Sequence, residues 1–436
     1  MLLERPRLIA ILLLMLALVL RAGEVQRAPY KPVGDARAYL MLGGQVASTG
    51  GYASTDGGAG GSQGPSAYYA PGYPYLLGAL DRITGNAPMS AGQVHVARLA
   101  GAVLGTVLVG FIGLIALELF GIDMALLAMA LAAIYPVLIE MSSTLAAENL
   151  MVVFVMAAVW TALRAQRSGD PLRWIIATGV LTGLATLTHV NAFLLLIPLG
   201  VAVWRSVPVF GRRELGAVAV LIVSTLLTLT PWLVRDGLAM KTFVPVTDES
   251  GITLAGTYNS TSAHSDPTYR WLFYTDVHGY SAIAHRAHRM SETQLDSKLE
   301  SQAFHYIAHH PGAPASVAWH NTLRMFDLAG SHAWRASAAS IGLEEGVARI
   351  GVYCFWALCA MALLGLIVPR ALRAPAWLWG VPWLMWLTTV LVNAETPRFR
   401  EVIEPFLILL AARGIWRLAS WIRSRAPGRA QAMPAG

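Results

Sequence analysis

The sequence predicts an all-α protein that crosses a membrane many times, and three observations predict it. Hydrophobic residues make up 56% of the 436-residue chain and charged residues only 13%, with a mean hydropathy of +0.54. So little charge cannot cover the surface of soluble domains. The apolar residues gather in runs close to the roughly 20 residues that a bilayer-crossing helix needs. Arginines recur in the short segments between alternate runs, as they do on the cytoplasmic side of a membrane. The net charge of +7 is therefore a topology signal rather than a nucleic-acid-binding surface. Cys354 and Cys359 share one apolar segment, so neither a disulfide framework nor a thiolate metal cluster is available.

Ten spans can be marked within an expected range of 10–12: 8–22, 97–119, 121–139, 142–163, 173–189, 190–204, 216–234, 347–368, 376–392 and 402–420. The first has Arg5 and Arg7 ahead of Leu8–Leu20 and a poor processing site at Arg21-Ala22-Gly23, and it reads as a retained anchor. The fifth and sixth must turn almost without a loop near His189–Asn191, and Pro382 lies inside the ninth. With the N-terminus inside, the inward segments hold Arg164, Arg167, Arg173, Arg205, Arg212, Arg213, Arg370, Arg373, Arg413, Arg417, Arg423, Arg425 and Arg429, and both termini are cytoplasmic.

Two long segments then face outward, 23–96 and 235–346. The chain divides accordingly into a catalytic transmembrane module 1–234 that includes the first loop, the outward loop 235–346, and C-terminal helices with a cytoplasmic tail, 347–436. The Gly/Ser-rich stretch Gly50–Gly64 reads as a loop, flanked by amphipathic stretches at Ala38–Val46 and Tyr75–Ile83. In the second loop, helical stretches are expected around Glu292–His310 and Ala315–Phe326. Nine of the 11 histidines lie in that loop, and His285 with His288 and His305 with His309 have helix-face spacing. No carboxylate completes a strong ligand motif there, so no metal site is assigned; the histidines read as solvated groups at an interface.

Ionisable residues at span ends are the candidates for chemistry, because charge in hydrocarbon is costly unless it faces protein or water. Glu140 and Glu148 flank the outward turn between the third and fourth spans. Asp35 follows Pro32 and Gly34, where it either caps the next helix or presents a carboxylate at the outer mouth of the bundle. Lys31, Arg37 and Arg235 surround that mouth in sequence and suit an anionic lipid group. The aromatics Tyr39, Tyr68, Tyr69, Tyr73, Tyr75 and Trp232 suit either an interfacial belt or a sugar cavity.

Asp35 with Tyr39, then Tyr69-Ala70-Pro71-Gly72-Tyr73-Pro74, resembles the integral membrane glycosyltransferases that use polyprenyl-phosphate sugars. This is the GT-C fold, in the branch of the protein O-mannosyltransferases and lipid A aminoarabinose transferases. The resemblance continues through Tyr135-Pro136 with Ser142 and Glu148, Gly179–His189, Thr230-Pro231-Trp232-Leu233-Val234-Arg235-Asp236, His310-Pro311 and Arg398-Phe399-Arg400. It implies that a sugar is moved with inversion from a polyprenyl-phosphate carrier to a hydroxyl on a glycan, glycolipid or protein, at the outer face of a prokaryotic plasma membrane. It assigns Asp35 as base or acceptor-positioning carboxylate and Glu148 as a supporting carboxylate. Arg235 would hold the lipid phosphate, with Arg398 and Arg400 candidates for the same cavity and Tyr39, Tyr69 and Tyr73 shaping it. The sequence departs from the family at Ala36, where relatives carry Glu, at His189, where they carry Arg, and at Asp236, where they carry Asn. With no second carboxylate beside Asp35, no cofactor is expected to be required, although some branches use a divalent cation. A sugar-lipid transporter or flippase and a non-catalytic membrane assembly protein are the alternative readings.

The topology is testable by cysteine-accessibility labelling: cysteines placed at positions 212 and 373 are expected to be shielded from a membrane-impermeant reagent added outside. Outward labelling at either position contradicts the ten-span arrangement.

Overall fold

The computed structural model describes residues 4–55, 64–204, 206, 212–367 and 374–425. Arg205, Arg370, Arg373, Arg429 and most of the glycine-rich stretch lie outside the described residues.

The chain opens with α1 (Glu4–Arg27), followed by the first-loop helices α2 (Gly34–Thr49) and α3 (Gly72–Thr84). Next come α4 (Ala91–Phe120), α5 (Ile122–Ile134), α6 (Pro136–Ser142), α7 (Glu148–Arg167) and α8 (Leu172–Thr188). A 3-10 turn, Val190–Leu195, leads into α9 (Leu196–Trp204), and α10 (Arg212–Met240) follows. The second loop folds as α11 (Ser250–Thr257), α12 (Ser260–Ala263), α13 (Ser281–Arg286), α14 (Glu292–His309), α15 (Ala313–Met325) and α16 (Ser331–Ser340). The chain finishes with α17 (Glu345–Leu366), α18 (Ala376–Val390) and α19 (Glu404–Arg425). The amphipathic stretches expected in both loops are all helical, and their ends lie within a few residues of the expected positions.

Among the described residues the expected count of ten full-length spans is not confirmed. Six described helices, α1, α4, α7, α10, α17 and α19, are long and apolar enough to cross a membrane, and α5 with α6 makes a seventh if that pair is one span bent by 60°. The bend has a local cause: Pro136 has no N–H, so the carbonyl of Ala132 loses its partner one turn back. Arg21 of α1 supplies the missing donor, with Nη2 3.1 Å from that carbonyl, Nη1 3.3 Å from Ala133 O and Nε 3.2 Å from Ser142 Oγ. The residue that reads in sequence as part of a processing site is thus a fully buried brace. The expected spans 173–189 and 190–204 are shorter apolar helices separated by a break at His189, and 376–392 is the 15-residue α18 with Pro382 inside it.

Among the described residues two large hydrophobic cores and one small cluster, Met325 with Val390 and Ala394, result. One lies among the bundle helices, where Leu108, Ile112, Met129, Val152, Met156, Leu378 and Leu409 are buried together. Close approach depends on glycine: a Cβ on Gly365 of α17 would come 2.0 Å from Leu410 O of α19, and one on Gly414 2.2 Å from Met361 O. The other core joins the loops, with Leu40 and Leu77 of the first packed beside Ile252, Leu295, Leu299 and Val317 of the second. Large apolar side chains remain exposed on α1 (Leu8, Ile11, Leu12, Met15) and α10 (Val223, Leu226, Leu227), the faces such a bundle turns to lipid.

Candidate active site

The loop core and the bundle core meet around Arg398, in the 3-10 turn Arg398–Arg400 that precedes α19. Its Nη1 donates to Asp35 Oδ2 at 2.7 Å and its Nε to Glu148 Oε1 at 2.7 Å. Tyr69 OH donates to the other Asp35 oxygen at 2.9 Å. His189 Nε2 lies 3.9 Å from Glu148 Oε1, from the break that ends α8. Asp35 and Glu148 therefore meet on one guanidinium, with Tyr69 and His189 each one contact further out.

Each of these side chains is placed by local structure. Asp35 sits in the first turn of α2, but the N-cap residue is Val33 and no side chain caps the helix. The capping reading is thereby corrected: the carboxylate turns to Arg398 and Tyr69 instead. Glu148 opens α7 after the turn left by the α5–α6 bend, and it is fully buried. A Cβ on Gly72 would lie 2.6 Å from Thr188 Oγ1, so glycine brings the start of α3 against the end of α8 beside His189. Tyr39 packs edge-on against Tyr69 and Tyr73 at 5.1 and 5.3 Å between ring centroids.

Burial works to raise the Asp35 carboxyl, but the charge of Arg398 and the hydrogen bonds from Arg398 and Tyr69 outweigh it, and its pKa lies below the ordinary value. Asp35 is thus an anion at neutral pH. A cavity of about 20 Å³ opens beside it, lined by Tyr30, Asp35, Tyr39, Thr144, Ser340 and Arg398. Lys31 and Arg37, on either side of Asp35 in sequence, are exposed.

The other expected cations lie elsewhere. Arg235 is not in contact with Asp35; it donates to Ser66 O at 2.6 Å, Tyr52 O at 2.6 Å and Asp236 at 2.7 Å, beneath the rings of Trp232 and Tyr52. Arg400 is buried with Asp327 and Glu404, at 2.5 and 2.7 Å. Glu140, which reads in sequence as an interfacial acid, is buried and its Oε2 has no partner among the described residues. In the second loop His309, His310 and His320 each bond the carbonyl one turn back, and no group of three or more ligand-type side chains that could hold a metal occurs among the described residues.

Three acids of the second loop escaped the sequence reading, because isolated carboxylates on a polar loop carry no spacing signal. Glu249 is pushed up to about 8 by burial and by the negative charge of Asp35. Asp248, neither of whose carboxyl oxygens has a donor among the described residues, is pushed up to about 9 by burial and by Glu292. Glu292 accepts from Ser66 Oγ at 2.7 Å and Ala67 N at 2.6 Å.

The raised Asp248 pKa fixes a sign for stability. A folded-state value of about 9 against an ordinary carboxyl value means that its contribution is fully present below about pH 4. It is lost progressively as pH rises towards 9. Thermal melts of the solubilised protein are expected to fall between pH 6 and pH 9, and Asp248→Asn, which cannot ionise, is expected to flatten that slope. An unchanged slope in the variant rules out Asp248 as its source.

Residues 69–234 match the family model described as dolichyl-phosphate-mannose-protein mannosyltransferase, a stretch that includes Tyr69, Tyr73, Glu148 and His189. The oligosaccharyltransferase AglB of Archaeoglobus fulgidus, solved with an inhibitory peptide and a dolichol-phosphate, superposes with a TM-score of 0.56 at 13% identity, over 97% of this chain and 52% of its own. The chain thus spans about half the length of that relative. ArnT of Cupriavidus metallidurans, solved with undecaprenyl phosphate, gives a TM-score of 0.46 at 16% identity, over 94% of this chain and 78% of its own. No curated protein sequence matches the chain. The superposition with AglB shows a shared GT-C fold, and within it residues 69–234 carry the match to the mannosyltransferase family model.

Proposed function

We propose that this protein is an inverting glycosyltransferase that moves a sugar from a polyprenyl-phosphate carrier to an acceptor hydroxyl at the membrane face carrying Asp35. The observation that carries this reading is the pair of carboxylates, Asp35 and Glu148, held by one arginine beside a cavity. Among the solved relatives, AglB was captured with dolichol-phosphate and ArnT with undecaprenyl phosphate, so a lipid-borne phosphate is the donor class that kinship suggests.

The chemistry follows from charge. A polyprenyl phosphate leaves as a stabilised anion, so the leaving group needs cations more than a proton, while the incoming hydroxyl needs a base or a fixed acceptor for its hydrogen bond. The acceptor oxygen forms its bond to the anomeric carbon as the bond to phosphate oxygen breaks on the opposite side. The electron pair stays on phosphate and the hydroxyl proton passes to Asp35. Because the charge of Arg398 is already shared between two carboxylates, the exposed Lys31 and Arg37 are better placed to meet the phosphate, and Arg398 chiefly fixes Asp35 and Glu148. A depressed carboxyl is a weak base, so Asp35 orients the hydroxyl and receives its proton late in the step. A space of about 20 Å³ holds little more than a water, so donor entry requires the residues lining it to rearrange.

Asp35→Asn separates catalysis from structure, since asparagine keeps the size of the side chain but cannot take the proton. Transfer from a synthetic polyprenyl-phosphate sugar is expected to fall about 10²–10⁴-fold, with donor binding within a few-fold of the parent. Turnover within a few-fold of the parent removes Asp35 from the chemical step. No transfer by the parent to any hydroxyl acceptor, with donor still bound, favours carriage of the lipid-linked sugar over its transfer.

A further inference from the structure

The segment that carries Tyr69 is held at almost every polar backbone atom. Ser66 N donates to Tyr52 O at 3.1 Å, and Ser66 O accepts from Arg235 at 2.6 Å. Ala67 N donates to Glu292 Oε1 at 2.6 Å, while Ala67 O accepts from Asp248 N at 3.1 Å. Tyr68 N reaches Ser66 Oγ at 3.1 Å, and that hydroxyl donates to Glu292 Oε2 at 2.7 Å. Tyr69 O accepts from Tyr52 OH at 2.9 Å. The residue at the end of this splint, Tyr69, is the one that donates to Asp35.

Among the described residues, Glu292 is the only side chain in the splint that holds both the backbone and a side chain of the segment. It is rigidly mounted. It opens the 18-residue α14 directly after a capping box in which the Ser291 hydroxyl and the Gln294 side chain satisfy each other's backbone N–H groups. Both its oxygens accept short bonds, as charge-assisted acceptors do. It is 7% exposed and shares its surroundings with Asp248, which burial keeps protonated at neutral pH.

We propose that Glu292 is a positioning residue for Asp35: by fixing Ser66 and Ala67 it holds the Tyr69 hydroxyl on the Asp35 carboxylate. The second outward loop thereby sets the hydrogen bonding of a carboxylate that lies more than 250 residues away in sequence. This extends the catalytic reading of Asp35 given above, yet its test does not require turnover. The groups that bear on Asp35 are Arg398, Tyr69 and His189, with Tyr39, Glu249, Glu148 and Glu395 around them. Of these, the proposal changes the placement of Tyr69 alone.

The experiment is a double-mutant cycle read at Asp35 itself. Carbodiimide modifies protonated carboxyls, so the pH midpoint of Asp35 labelling, followed by peptide mass spectrometry on the full-length solubilised protein, reports its ionisation. Tyr69→Phe removes the hydrogen bond and is expected to raise that midpoint by roughly one pH unit. Glu292→Ala is expected to raise it by a similar amount, and the double variant no further than either single change. A parental midpoint in Glu292→Ala, or shifts that add in the double variant, overturns the proposal. Should Glu292→Ala not fold, Glu292→Gln replaces it in the same cycle: one amide oxygen still accepts from Ala67, so a smaller shift that vanishes in the Tyr69→Phe background is expected, and an equal shift in both backgrounds overturns it. Sugar transfer by the parent is measured in parallel; its absence sinks the transferase reading and leaves the labelling cycle to decide the role of Glu292.

Discussion

One guanidinium between two carboxylates is the constraint on which the site depends. Arg398 meets Asp35 from the first loop and Glu148 from the start of α7, and Glu148 has no exposure to water. Removing one partner of a buried ion pair leaves an uncompensated charge and costs about 3–5 kcal/mol. Three distant parts of the chain, the start of α2, the start of α7 and the turn before α19, are therefore required to meet at one point. In the proposed reaction, cations for an incoming phosphate come from elsewhere on the rim, where Lys31 and Arg37 are exposed.

The surrounding structure serves that meeting. The Pro136 bend ends α5 early and lets the chain turn so that Glu148 opens α7 at the right depth, while Arg21 accepts the structural cost of the broken helix by satisfying the freed carbonyls. On the far side of the same turn, Arg400 anchors the chain to Asp327 and Glu404. Above it, the tyrosine cluster packs beside Asp35, and the Glu292 and Arg235 contacts fix the segment from which Tyr69 reaches in.

Much of this was legible in the sequence, for physical reasons that also set the limit. Asp35, Glu148, Tyr69 and Arg398 stand at turns or helix starts next to apolar runs, where an ionisable or hydroxyl group is conspicuous, and the structure brings all four together. Arg398 and Arg400 look equivalent in sequence. In a 3-10 turn, with three residues per turn, positions two apart point to different sides, and only Arg398 faces Asp35. Arg235 carries a strong motif, yet its guanidinium is occupied by loop carbonyls that no sequence window reveals. Hydropathy marked stretches that are not single long helices, because it measures apolar content and cannot see where a backbone breaks, as at Pro136 and His189. Glu292, Asp248 and Glu249 were invisible because their importance lies in contacts across the two loops rather than in local spacing.

The most direct measurement is a thermal-stability cycle between Arg398→Gln and Glu148→Gln in the solubilised protein. If Arg398 is the cation that compensates Glu148, Arg398→Gln alone lowers the melting temperature by several degrees. Adding Glu148→Gln then restores much of the loss, because the stranded charge is gone. Losses that simply add, or an Arg398→Gln variant that melts with the parent, would show that the two carboxylates do not depend on this arginine.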